Sequence, residues 1–165
     1  SALRHDFHVQ LQLKRFWQVL AKQPDQTIGR QEFLKMHQRI CLALVSDITL
    51  EETRKAGVED WKAETKGKSS MTQDEVFGFI YEIADLWCTG ITGEEYARFL
   101  KKVLAGITVR NRLGAHGKLI SVSPSLPPQP LQHDFAKFWT RRGRPTERPL
   151  PTVVAALKAA EAAVK

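Results

Sequence analysis

Three stretches of this chain share one pattern: a branched or thioether apolar residue, a Glu four positions later, and an apolar residue that opens a helical stripe. The copies are Ile28…Glu32-Phe33, Met71…Glu75-Val76 and Ile91…Glu95-Tyr96. Apolar residues then recur at helical spacing: Phe33, Met36 and Ile40; Val76, Phe79, Ile80 and Ile83; Tyr96, Phe99, Leu100 and Val103. One structural unit is reused, so the expected fold is an all-α domain whose helices pack through these stripes. Ordinary capped helices share part of the pattern. Thr72-Gln73-Asp74-Glu75 and Thr92-Gly93-Glu94-Glu95 both have the spacing of a capping box, and so has Thr49-Leu50-Glu51-Glu52 ahead of a further helix. What a plain cap does not require is the apolar residue in phase before each one.

That added residue makes the unit resemble an EF-hand. There, the apolar residue at loop position eight pairs with a neighbouring loop and the Glu at position twelve closes the loop. Counting back from each Glu shows that the resemblance is to the scaffold without the metal chemistry. The first loop, 21–32, offers Ala21, Gln23 and Asp25 at positions one, three and five, and only Asp25 is a suitable ligand. The second, 64–75, puts Lys66 and Lys68 where a divalent cation needs oxygen, so it should repel calcium. The third, 84–95, offers Ala84, Leu86 and Cys88. Position six, where a Gly normally makes the sharp turn, holds Gln26, Ser69 and Thr89. No metal site and no cofactor is expected, although Asp25 and Glu32 leave weak cation binding by the first loop open. Met71 and Ile91 lie too close for two complete helix-loop-helix units. Either the helix from about Thr72 to Trp87 serves two units, or the first loop pairs with one of the others and the third copy is a plain helix start.

A coarse pass places helices at about 8–21, 29–44, 50–66, 72–87 and 93–104, with Lys66-Gly67-Lys68-Ser69-Ser70 as a polar, mobile turn. At 42% hydrophobic residues over 165 positions the chain can bury one core, and it has no apolar run long enough to span a bilayer. A soluble protein is expected. Cys41 and Cys88 fall in helical apolar contexts far apart in sequence, the pattern of buried free thiols in a reducing compartment. The first residues, Ser1-Ala2-Leu3-Arg4-His5-Asp6, lack the apolar stretch of a signal peptide, and a cytoplasmic location is expected.

Charge divides the chain. Residues 1–109 hold 15 Lys and Arg against 15 Asp and Glu, whereas residues 110–165 hold 10 against 3, so the formal +7 belongs to the tail. Every proline except Pro24 also lies beyond Gly117. Two regions follow: a helical domain over 1–110, and over 111–165 an extended, Pro-rich basic tail that ends in a short helix. Ser121 to Pro130 should be a polyproline-like strap, because proline lacks an amide donor and restricts its neighbour. Phe135, Phe138 and Trp139 then share one helical face, followed by Arg141, Arg142, Arg144 and Arg148 and by an Ala-rich stretch with high helix propensity. These seven residues are the candidate partner-binding set, since arginines hold carboxylates bidentately and aromatic rings fill apolar clefts.

A narrower resemblance covers about 33–108. Met36-His37, Val58-Glu59-Asp60-Trp61, Met71-Thr72, Glu82-Ile83-Ala84-Asp85-Leu86-Trp87, Glu94-Glu95-Tyr96 and Gly106-Ile107-Thr108 resemble degenerate EF-hand-like proteins of ciliary and flagellar axonemes. The resemblance implies a calmodulin-like helical body and a calcium-independent, non-enzymatic structural role on tubulin, the doublet microtubule or other axonemal proteins of the cytoskeleton. Two alternatives remain from the residues themselves. A light-chain-like adaptor would hold an amphipathic helix in the apolar groove, or Phe135, Phe138 and Trp139 would fill that groove in cis. A nucleic-acid module would use the arginines beside Trp139, though no nucleic-acid-binding signature accompanies them. An enzyme is the least supported class: there is no phosphate loop, nucleophile elbow or paired catalytic motif. His5 and His8 have no partner ligands to complete a zinc site, and His37, which interrupts a stripe, reads as a partly buried structural residue.

Overall fold

The helix starts follow their caps. In the computed structural model, which describes residues 2–44, 48–88, 90–110 and 116–122, a 3₁₀ turn at Ala2–His5 precedes helix α1, Phe7–Val19. Asp6 caps α1 by accepting from the His8 and Val9 amides. Helices α2 (Arg30–Leu44), α3 (Leu50–Thr65), α4 (Gln73–Trp87) and α5 (Gly93–Ile107) follow. Thr49 and Thr72 form reciprocal capping boxes with Glu52 and Glu75, and Thr92 accepts from the Glu95 amide. The described part is mostly helical, and its strands are short: β1 (Ile28–Gly29), β2 (Ser70–Met71), β3 (Thr108–Arg110) and β4 (His116–Leu119).

Two helix-loop-helix units, α1 with α2 and α3 with α4, are joined where β1 and β2 pair antiparallel with Ile28 opposite Met71 and Gly29 opposite Ser70. Ile28 and Met71 are fully buried, so the pairing also closes the core between the loops. The third copy of the pattern behaves differently. Helix α4 continues unbroken to Trp87, which puts Ala84, Leu86 and Cys88 in the buried interior and leaves no twelve-residue loop before Glu95. Ile91 has no strand to pair with among the described residues and is 85% exposed. It marks a plain helix start.

The core is organised by aromatic contacts between α2, α3 and α4. Phe33 lies 5.4 Å from Trp61 with the rings tilted and 5.1 Å from Phe79 edge-to-face, within the separations at which aromatic pairs add to simple area burial. Phe16, Leu100, Leu104 and Ile107 extend it to α1 and α5. Gly57 lets α3 approach α2, because a Cβ there would lie 2.9 Å from the Leu34 side chain and 3.3 Å from the His37 ring.

Strands β3 and β4 pair antiparallel, with Thr108 opposite Leu119. Beyond the pairing, the Ile120 amide donates to the Ile107 carbonyl, and Arg39 Nε donates to the Ile120 carbonyl at 2.8 Å. Residues 116–120, which the composition shift groups with the tail, are thereby fastened to α2 and α5. The remaining tail expectations, comprising the strap from residue 123, the aromatic face, the arginines and the Ala-rich helix, lie outside the described residues.

Candidate binding loops and surfaces

The two paired loops satisfy their own carboxylates. In the first, Glu32 Oε2 accepts from the Ala21 amide at 2.7 Å, and Asp25 Oδ1 accepts from the Thr27 amide and hydroxyl at 3.2 and 2.6 Å. Gln26, the sixth residue of this loop, takes the left-handed conformation with φ of 64°. That conformation strains a residue with a Cβ and is held here by the Gln23–Thr27 and Gln26–Gln23 backbone bonds. Asp25 and Glu32 therefore act as loop caps in this structure.

The second loop contains its own cation. Lys68 Nζ donates to Glu75 Oε1 at 2.7 Å, and the same oxygen accepts from the Thr72 amide. Burial works to raise the Glu75 pKa, but the Lys68 ammonium and the Thr72 hydrogen bonds outweigh it and hold the carboxyl below its ordinary value. The ammonium at the fifth loop position pairs with the loop's closing carboxylate. The turn around it, expected to be mobile, is bonded: Lys66 and Gly67 adopt φ of 53° and 85°, and the Lys68 amide donates to the Thr65 carbonyl. At the start of the loop Glu64 is crowded. Burial, then the carboxylates of Glu82, Asp60 and Glu75, push its pKa up to about 7.

Beneath the α2–α3 contact lies a polar group that the sequence pattern did not signal. His37 Nε2 donates to Asp60 Oδ2 at 2.7 Å with both side chains fully buried, and His37 Nδ1 lies 3.6 Å from Cys41 Sγ. His37 is thus wholly buried, beyond the partial burial expected, and its ring stacks on Phe79. A Cys-His-Asp series has the order used in nucleophilic catalysis, but this one has no route for a substrate, and burial raises the Cys41 thiol pKa far above its ordinary value. The geometry suits a structural clasp. The i, i+4 step from His37 to Cys41 was visible in the sequence; the partner Asp60, on another helix, was not.

The other titratable candidates are simply placed. His5 and His8 are both exposed, with His8 edge-on to Phe7. Cys41 and Cys88 are buried and form no disulfide, as their contexts indicated. Tyr96 donates to Asp85 Oδ1 at 2.6 Å, and burial together with this bond raises its pKa. Among the described residues no group of His, Cys, Asp and Glu is arranged to hold a metal ion, and no helix is long and apolar enough to cross a membrane. The proposed anchors Phe135, Phe138, Trp139, Arg141, Arg142, Arg144 and Arg148 lie outside the described residues.

Folding also reveals a segregation of charge that the balanced total conceals. Helix α4 carries Asp74, Glu75, Glu82 and Asp85 and no Lys or Arg, while α1 carries Lys14 and Arg15 and no Asp or Glu. On α5, Arg98, Lys101 and Lys102 follow the two glutamates of the capping turn. In comparisons with known proteins, no family model, curated protein or solved structure matches the chain.

Proposed function

We propose that the chain is a calcium-independent, EF-hand-derived structural protein that docks on an acidic protein surface, with the tubulin of the ciliary or flagellar axoneme as the leading candidate. The observation that supports this reading is the pair of facing loops: Ile28 and Met71 pair antiparallel, as the position-eight residues of two EF-hand loops would, while Lys68 supplies the charge that neutralises Glu75. A scaffold so satisfied has no switch to operate and serves as a fixed body. The helical body fixes position, and the basic tail, with Phe135, Phe138 and Trp139 beside Arg141, Arg142, Arg144 and Arg148, adds contacts to carboxylate-rich surface. Ordering an extended segment opposes binding, and a repeating lattice offsets that cost by presenting the same acidic surface many times.

Co-sedimentation with polymerised tubulin tests the reading. The full chain should pellet with microtubules equally in calcium and in chelator, and reversing Arg141, Arg142, Arg144 and Arg148 to Glu should weaken pelleting by at least tenfold. Unchanged pelleting of that variant would remove the tail from the account, and failure of the native chain to pellet would remove tubulin.

A further inference from the structure

We infer that residues 116–120 form a latch, closed by Arg39, that opens separately from the helical body and fixes the point at which the basic tail leaves it. The two sides of the latch are unequal. Strand β3 continues directly from α5, and the Thr108 hydroxyl donates to the Leu104 carbonyl at 2.6 Å, so this strand belongs to the body. Strand β4 contributes little to the core. Gly117 and Lys118 are exposed, Leu119 and Ile120 are partly buried, and Leu119 packs against the core from that partly exposed position. A two-stranded pairing is marginal by itself. Two bonds at one residue reinforce it: the Ile120 amide donates to the Ile107 carbonyl at 3.0 Å, and the Ile120 carbonyl accepts from Arg39 Nε at 2.8 Å. Ile120 thereby bridges the end of α5 and the middle of α2, while β4 also touches α1.

Arg39 suits the closing role. It is 8% exposed, and its Nη1 donates to the Lys35 carbonyl and to Gln38 Oε1, both on α2, so the guanidinium is oriented by its own helix. Its Nε then reaches beyond α2 to β4. A hydrogen bond from an ionised donor is stronger than one between neutral groups, so this contact outweighs the Ile120–Ile107 bond beside it. Few buried contacts and few hydrogen bonds are what allow a segment to open without global unfolding. Opening β4 leaves in place the aromatic cluster of Phe33, Trp61 and Phe79, which lies between α2, α3 and α4. The consequence for binding rests on the reading of this chain as a docking protein. A fixed departure point holds the start of the tail in one arrangement with the body, which leaves less ordering to be done on binding.

Hydrogen exchange of the full chain, read by mass spectrometry, tests the latch. The amides of 117–120 should exchange at least tenfold faster than the central amides of α4 and with little dependence on low urea, because little surface is exposed when they open. Arg39→Gln should speed them at least tenfold more. Exchange of 117–120 at the rate and urea dependence of α4 would overturn the latch, and unchanged exchange in Arg39→Gln would overturn the role of Arg39. Spin labels at Lys55→Cys and Ser121→Cys, both exposed positions, test the departure point, since Cys41 and Cys88 are buried. One narrow distance is expected, and a broad distribution once Arg39→Gln is combined with Ile120→Pro. Proline there removes the donor to Ile107 and suits the extended backbone that Leu119 already has in β4. A narrow distance kept in that variant, with its helices intact by circular dichroism, would overturn the fixed departure point. The same variant should pellet with microtubules at least threefold more weakly, and equal pelleting would overturn the coupling of tail to body. Failure of the native chain to pellet would discard tubulin while exchange and distance still decide the latch, so the two readings fail separately.

Discussion

Removing one half of the buried His37–Asp60 pair should destabilise the protein far more than removing both. Their side chains are fully buried and 2.7 Å apart, on α2 and α3, so each is the other's desolvated polar neighbour. His37→Phe keeps a ring against Phe33 and Phe79 but deprives the Asp60 carboxylate of its donor. Breaking a buried pair in this way costs about 3–5 kcal/mol, because the buried carboxylate loses its 2.7 Å imidazole partner. Asp60→Leu leaves the imidazole N–H without its acceptor and should cost about 2–4 kcal/mol. The double variant replaces both polar groups with apolar ones of similar size and should fall within about 1 kcal/mol of the native protein. Urea unfolding followed by circular dichroism measures all four proteins. With a slope of about 1.5 kcal/mol per molar, His37→Phe should lower the midpoint by about 2–3 M while the double variant nearly restores it. Single substitutions costing under about 1 kcal/mol, or a double variant whose loss equals the sum of the singles, would refute the argument that the pair is a coupled, buried clasp.

Four further outcomes follow from particular groups. Glu64, whose folded pKa of about 7 lies above the ordinary 4.5, binds its proton more tightly in the folded state, so its contribution is full below about 4.5 and is lost as pH rises through 7. Because the group is partly solvated, the shift is screened. Glu64→Gln should stabilise the protein by about 1 kcal/mol at pH 8 and leave it nearly unchanged at pH 4.5, measured by urea unfolding at both values. Gln26→Gly should raise stability by about 0.5–1 kcal/mol in thermal unfolding, since the left-handed backbone at φ of 64° suits glycine. Gln12 is buried with its Oε1 unpartnered among the described residues, so Gln12→Leu should stabilise by about 1 kcal/mol in the same assay. Ellman's reagent should label neither Cys41 nor Cys88 in the native protein, and labelling in rising urea should follow global unfolding.

Local chemistry was legible in the sequence where it is decided within a few residues. The five helices begin at Asp6, Thr49, Thr72 and Thr92 or at a strand end, and Thr-x-x-Glu spacing marks three of those starts directly. The stripes from Phe33, Val76 and Tyr96 are the ones that became core. Which two copies of the repeat would pair was not decided by the pattern, because Met71 and Ile91 have equivalent local surroundings; the length of α4, running to Trp87, leaves the latter no loop. Long-range polar pairs were invisible for the same reason. Nothing near His37 in sequence announces Asp60, and nothing near Arg39 announces the Ile120 carbonyl that holds β4 in place. The burial that lowers the Arg39 pKa likewise arises only once those strands assemble. Lys68 shows what position in a loop leaves out: position alone marks a charge facing an incoming cation, and in the fold its ammonium holds Glu75 while its amide bonds the Thr65 carbonyl in a turn expected to move.

Calcium titration of the full chain by isothermal calorimetry, with near-ultraviolet circular dichroism recorded in parallel, tests most directly the proposal of an EF-hand-derived body that needs no metal. The Lys68–Glu75 contact predicts no saturable heat up to millimolar calcium and no change in the aromatic spectrum. Stoichiometric micromolar uptake accompanied by a spectral change would contradict it.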